Sequence, residues 1–354
     1  MPARRYRVLG IMSGTSMDGV DLAFCHFTKS DEMWQGEIIA AETIPYSTAW
    51  KEKLWKSYEM VGYQLVKTDM EYGHYLGKIA KEFLRRHRLN ADFIASHGHT
   101  IFHNPVDGVT FQLGNGAAIA ASSNITTISN FRTLDVALKG QGAPLVPVGD
   151  AILFSNYDYC LNLGGFANIS FFWYKRRIAF DICPVNFVIN KLANTLGHEY
   201  DQDGQLARQG KVIVPLLKNL NKLPYYQQPY PKSLGREWVE ENFLPHLQAD
   251  HIDPYDALRT VYEHIAIQIT KVFTGKPSKK VLVTGGGAHN KFLMELITSR
   301  TNLKIEIPDP TIVDFKEAMI FAFLGVLRMR EEYNCLASVT GAKHDNVGGV
   351  IYKI

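Results

Sequence analysis

At 354 residues the chain is long for one hydrophobic core and suits about two domains of ~150 residues each. With 46% hydrophobic and 21% charged residues, a net charge of +3 and no low-complexity tract, its composition excludes a disordered or fibrous chain. That balance favours neither nucleic acid nor a membrane as partner. The longest apolar run, 318–327, falls short of the ~20 residues a membrane span needs. No signal-peptide core follows the N-terminal arginines, and Cys25, Cys160, Cys183 and Cys335 are scattered without a Cys-x-x-Cys pair. Reduced core thiols in a cytoplasmic protein are therefore expected.

Taken in order, residues 8–27 read as a β-hairpin, two apolar runs split by a turn of Gly, Ser, Thr and Asp in which Gly14 and Gly19 supply backbone freedom. A third strand is expected over 37–44, closed by Pro45. Two amphipathic helices follow, one carried by Leu54, Tyr58, Val61 and Leu65, the other by Tyr72, Tyr75, Leu76, Ile79 and Phe83. A strand over 92–96 runs into Ser-His-Gly-His-Thr-Ile-Phe-His; 111–113 is a short strand, 117–122 a helix and 126–129 a strand. The Gly- and Pro-rich stretch 130–147 marks a connection, which predicts one domain over 1–130 and a second over 131–354. From Tyr159 the order strand, glycine turn, strand, strand, helix recurs, with topology shared more than letters, as a structural duplication would leave it. Residues 198–250 are polar and proline-broken, an irregular insertion. A helix over 256–274, a strand and glycine turn over 280–290, a helix over 291–298, a strand over 303–307, a helix over 315–333 and a glycine-rich tail complete the chain. The tail is free to pack back on the first domain.

Three glycine turns follow strands, at 13–19, 164–168 and 285–290. None fits Gly-x4-Gly-Lys-[Ser/Thr] or a dinucleotide-binding Gly-x-Gly-x-x-Gly. The first exposes main-chain N–H groups suited to phosphate oxygens, and the carboxylates of Asp18 and Asp21 suit a hydrated Mg²⁺. Alone, it reads more readily as a tight polar turn. The repeat favours two tips gripping the phosphates of a nucleotide in an interdomain cleft, with the third turn offering a flat backbone to a base. His97, His99 and His103 have the spacing of metal ligands on one strand face, but no Cys or carboxylate clusters with them, which argues against zinc.

Six segments together make the chain resemble the anhydro-N-acetylmuramic acid kinase family of the actin, Hsp70 and sugar-kinase superfamily, nearly end to end. They are Met12-Ser-Gly-Thr-Ser-Met-Asp-Gly-Val-Asp, His97-Gly-His-Thr, Gly140-Gln-Gly-Ala-Pro-Leu-Val-Pro, Leu161-Asn-Leu-Gly-Gly-Phe-Ala-Asn-Ile, Gly285-Gly-Gly-Ala-His-Asn and Val339-Thr-Gly-Ala. The resemblance implies an α/β fold of two ribonuclease-H-like domains of the actin-like ATPase (sugar kinase) type. It implies an enzyme of peptidoglycan recycling that opens a 1,6-anhydro ring and phosphorylates O6, using ATP, Mg²⁺ and water. ATP would then meet Gly14, Thr15, Ser16, Met17, Asp18, Gly19, Val20 and Asp21, with Gly164, Gly165, Asn168, Gly285, Gly286 and Gly287, while Asp18 and Asp21 hold Mg²⁺ through water. Asp181 matches the general base, which must act on water because O6 enters as an ether with no proton to lose. His97, Thr100, Arg132, Asp135 and Glu317 fall at the sugar contacts, Arg132 being suited to a lactyl carboxylate. The partner implied is a small anhydrosugar, without nucleic acid or membrane, and the resemblance admits a homodimer.

Plainer readings stand beside these: Asp181 as a capping carboxylate, Arg132 and Asp135 paired with each other, Glu317 on a solvated helix face. The chain also departs from the family pattern. Ile182-Cys-Pro-Val185 replaces the usual Thr-Gly-Pro-Gly after the base, His99 stands for Gln and Lys139 for Gly. Another 1,6-anhydrosugar as substrate, or a weakened ATP- and sugar-binding paralogue acting as a sensor, therefore remain alternatives.

Overall fold

A computed structural model describes residues 5–14, 17–31, 33–248, 252–274 and 278–354. The strands among them are β1 (Arg5–Ser13), β2 (Gly19–Ser30), β3 (Met33–Pro45), β4 (Phe93–Asn104), β5 (Val109–Leu113), β6 (Thr127–Ser129), β7 (Tyr159–Leu163), β8 (Phe166–Trp173), β9 (Arg176–Pro184), β10 (Lys280–Thr284), β11 (Lys304–Glu306) and β12 (Val350–Tyr352). Contacts divide the chain into two compact units, Met1–Phe154 with Phe315–Ile354, and Ser155–Asp314.

In the first unit the sheet runs β3-β2-β1-β4-β6-β12, with β5 paired to β4. β1 to β3 are antiparallel, and β4 and β6 continue parallel on the other side of β1. The second unit runs β9-β8-β7-β10-β11, again three antiparallel strands and then two parallel ones beyond the first. The expected duplication is thus one of strand order, and each unit is ribonuclease-H-like. β10 reads as a continuous apolar run because successive residues Val281, Leu282 and Val283 are all buried, so both faces of the strand are covered. Leu9, Ile11, Leu22 and Phe24 of the first sheet pack on Tyr72, Leu76 and Phe83 of helix Gly62–His87. Leu161, Val281 and Val283 of the second pack with helix Pro254–Val272.

The domain boundary expected at residue 130 falls instead at 154, and residues from Phe315 onward return to the first unit. Polar links explain both shifts. Lys316 Nζ bonds the Asp150 carboxylate at 3.0 Å with both side chains buried, and Asp135 binds Cys335, Thr340 and Asn346. The first amphipathic helix ends earlier than expected, at Lys56, and the second starts at Gly62. Val61 there is extended (ψ 154°) and caps the long helix, so Tyr58 and Val61 lie exposed instead of on a buried stripe. The last long helix spans Pro310–Met329 rather than 315–333, because Asp309 caps its start and Glu331 turns left-handed (φ 56°) after its end. Residues 198–248 are irregular as expected, yet they are no polar appendage: Leu216, Leu220, Phe243 and Leu247 belong to the second core. All four cysteines are free and buried. Among the described residues no helix is long and apolar enough to cross a membrane.

Candidate active site

The register gathers the first set of residues at one end of the first sheet. Met12 faces Asp21, Gly19 faces Pro45 and Ser13 faces His99. Thr15 and Ser16 lie outside the described residues. Gly19 does not use a left-handed conformation; a Cβ there would sit 2.5 Å from the Ile44 carbonyl oxygen, so close strand packing demands the glycine. Among the described residues of the tip, Met17 is left-handed (φ 58°). Val20 is fully buried, which leaves only its main chain for a ligand. Asp18 is exposed, and Asp21 accepts from Thr43 Oγ1 at 2.6 Å. No three ligating side chains converge among the described residues. Such a donor set fits a largely hydrated Mg²⁺ rather than a cation caged by protein.

Beside this end lie His97 and Thr100 of β4, Arg132 and Glu317. The Nδ1–H of His97 donates to the Gly98 carbonyl (2.8 Å), so Nε2 is the acceptor for Arg132 Nε (3.0 Å) and Nη2 (2.8 Å). Burial, then the Arg132 charge, holds His97 neutral, well below its ordinary pKa. With its lone pair engaged by a cation, His97 is no zinc ligand. Arg132 Nη1 donates to Gly142 O at 2.7 Å. Among the described residues three of its five N–H groups are used, which leaves one on each terminal nitrogen for a carboxylate. Glu317 keeps accessible surface, and desolvation raises its pKa against the pull of Arg132.

Asp135 departs from expectation. It is fully buried and accepts from Gly142 N (2.7 Å), Cys335 Sγ (3.0 Å), Thr340 Oγ1 (2.9 Å) and Asn346 Nδ2 (2.9 Å). It neither pairs with Arg132 nor reaches a surface where sugar could bind. Its part is to hold Gly142, whose carbonyl in turn holds Arg132. His99 likewise faces inward: 2% exposed, it bonds Ser13 Oγ at 3.1 Å, and burial lowers its pKa to about 4. Lys139 is exposed with φ 69°, a left-handed position that accounts for a preferred glycine and leaves the added charge in solvent.

In the second unit the pairings Thr284–Asn162, Asn162–Asn168 and Asn168–Asp181 draw a polar row across four strands. The second and third glycine turns flank it. A Cβ on Gly164 or Gly165 would meet nothing closer than 3.4 Å, and neither has a left-handed φ. Neither close packing nor a left-handed backbone accounts for glycine at either position. We expect Gly165→Ala to leave the melting temperature unchanged and to weaken ATP binding, as thermal melts and titration calorimetry would read; equal ATP affinity would remove Gly165 from the site. Gly285 (φ 83°) and Gly287 press against β7, whereas Gly286 is exposed and open.

Asp181 is clamped by a segment of the irregular region. Leu234 N donates to its Oδ2 (2.9 Å), Tyr225 Oη to its carbonyl (2.6 Å), and its own N–H to Lys232 O (3.2 Å). Oδ1 accepts from none of the described residues. Burial raises the Asp181 pKa to about 6, opposed by the Leu234 N–H. The residues after it do not need glycine: Ile182, Cys183 and Val185 are buried in the core, and Val185 has φ −127°. Asn162, just before the second turn in a quoted motif, joins the polar row although the sequence did not single it out. Sequence reasoning also missed the clamp, whose members lie 44 and 53 residues from Asp181 and carry no local signal.

The doubled strand order, with a glycine turn after the first strand of each unit, defines an ATPase-type fold of the actin and sugar-kinase class. The family model for anhydro-N-acetylmuramic acid kinase matches residues 6–354, and the chain belongs to that family. Proteins so named from Sulfurovum sp. and Francisella tularensis subsp. novicida are 35% and 34% identical, the first over 98% of this chain and 99% of its own length, the second over 97% of each. Among solved structures, component A of the Acidaminococcus fermentans (R)-2-hydroxyglutaryl-CoA dehydratase is similar at 13% identity and TM-score 0.44, covering 90% of this chain and 96% of its own. A ROK family protein from Streptococcus pneumoniae is similar at 10% identity and TM-score 0.36, over 92% and 99%.

Proposed function

We propose that the protein is an ATP-dependent kinase that hydrolytically opens the 1,6-anhydro ring of anhydro-N-acetylmuramic acid and phosphorylates O6. The product is N-acetylmuramic acid 6-phosphate, in peptidoglycan recycling. Family membership over 6–354 supports the reaction class. The observation that carries the chemistry is Asp181, a carboxylate with Oδ2 tied to the chain and Oδ1 open, poised near pH 6.

In this reading Asp181 Oδ1 takes a proton from water as the water oxygen bonds to C1. The C1–O6 bond breaks, and its electron pair forms the bond from O6 to the γ-phosphorus as the bond to ADP breaks. Arg132 receives the lactyl carboxylate on its two unused N–H groups, with His97 fixing its plane and Thr100 and Glu317 beside the sugar. The ATP contacts proposed are Gly14, Thr15, Ser16, Met17, Asp18, Gly19, Val20 and Asp21, with Gly164, Gly165, Asn168, Gly285, Gly286 and Gly287. Mg²⁺, held through water by Asp18 and Asp21, would neutralise phosphate charge when bound. The setting proposed is the cytoplasm, with a homodimer as the assembly and no nucleic-acid partner. The departures from the family pattern do not favour another substrate or an inactive paralogue, since His99 and Ile182 to Val185 pack inward and Lys139 points to solvent.

The test is incubation with ATP and a panel of 1,6-anhydrosugars in ¹⁸O-water. Label at C1 of a 6-phosphate, with the muramic sugar preferred, is expected. ADP release no greater than background with every sugar, despite ATP binding, would refute the proposal.

A further inference from the structure

Tyr46 follows β3 and is only 5% exposed. Its main-chain N–H donates to the Asp18 carbonyl at 3.3 Å, at the far end of the first glycine loop. Its hydroxyl bonds Ser13 Oγ at 2.6 Å, where the loop begins. Ser13 Oγ also accepts from the Tyr72 hydroxyl (2.9 Å) and meets His99 Nδ1 (3.1 Å), while the two tyrosine hydroxyls bond each other. His99 has a further hydrogen bond to the Gly14 backbone. All four side chains are buried, so these polar atoms are satisfied within the cluster, and rings of Trp50 and Tyr75 pack on Tyr72.

The hairpin does not need this cluster to close, because the β1–β2 pairing up to Met12–Asp21 already sets its register. What the cluster adds is a direct tie, through the single residue Tyr46, between Ser13 and Asp18. We propose that Tyr46 is a positioning residue that clamps both ends of the first glycine loop and thereby sets its fit to the phosphates of ATP. The inference rests on the kinase reading above.

Tyr46→Phe deletes one oxygen and keeps the ring and the main-chain bond; Ser13→Ala deletes the partner atom. Each is expected to raise KM for ATP about fivefold, the worth of one such bond. KM for the sugar should stay put, and the double variant should be no worse than Ser13→Ala alone, since the Tyr46 hydroxyl acts through Ser13 Oγ. An ATP KM unchanged in Tyr46→Phe would overturn the proposal, as would a parallel rise in both KM values, the mark of a general loss of structure. Failure of the unaltered protein to bind ATP in calorimetry would instead overturn the kinase reading, and this inference with it.

Discussion

Asp181→Asn is expected to lower turnover by ~10²–10⁴-fold, the usual cost of losing a general base, while ATP affinity in calorimetry stays close to that of the unaltered protein. The asparagine keeps a carbonyl oxygen to accept from Leu234 N, so the clamp survives and only the proton acceptor is lost. The pH profile supplies a second readout. With its pKa raised to about 6, Asp181 is a base above that pH and protonated below it, so kcat/KM should fall through an acid limb near pH 6. The residual activity of the variant should lack that limb. The sign for stability is opposite. A raised folded-state pKa means the carboxyl favours folding most when protonated, and this contribution is lost as pH rises through about 6. At neutral pH the variant is therefore expected to melt higher than the unaltered protein, as active-site residues that trade stability for activity do. Unchanged turnover in Asp181→Asn would remove it as the base.

Asp135→Ala should be the most destabilising single change among the residues discussed, by about 3–5 kcal/mol in urea unfolding, because it strands several buried donors at once. The amide of Gly142, the Cys335 thiol, the Thr340 hydroxyl and the Asn346 amide all point at this one carboxylate. Asp135→Asn should fall between, since it retains an acceptor for one oxygen's partners and turns a donor toward those of the other. Because Gly142 also orients Arg132, the asparagine variant should raise KM for the sugar more than KM for ATP. Stability equal to the unaltered protein in Asp135→Ala would show that the carboxylate is not the fastener it resembles here.

Much of the first unit was readable along the chain. The hairpin of β1 and β2, the glycine turns and the repeat of strand, turn, strand, strand, helix are local patterns, set by residues a few positions apart. Periodicity was less able to place ends: Val61 belongs to an apolar stripe by spacing, yet becomes a cap in an extended conformation. The second unit's irregular region looked like a polar insertion because its prolines hid how regularly its leucines turn inward.

By itself the sequence determined that this is a two-part α/β protein with glycine turns after strands, and which motifs and carboxylates the family chemistry draws on, because turn chemistry and strand alternation act over short stretches. Tertiary structure alone decided what each polar group does. Asp135 became a fastener because Cys335, Thr340 and Asn346, some 200 residues on, fold back onto it. Asp181 came to present one open oxygen because Leu234 ties down the other. A buried charge or hydroxyl takes its role from the partners that satisfy it, and those are chosen by packing across the fold rather than by neighbours in the chain.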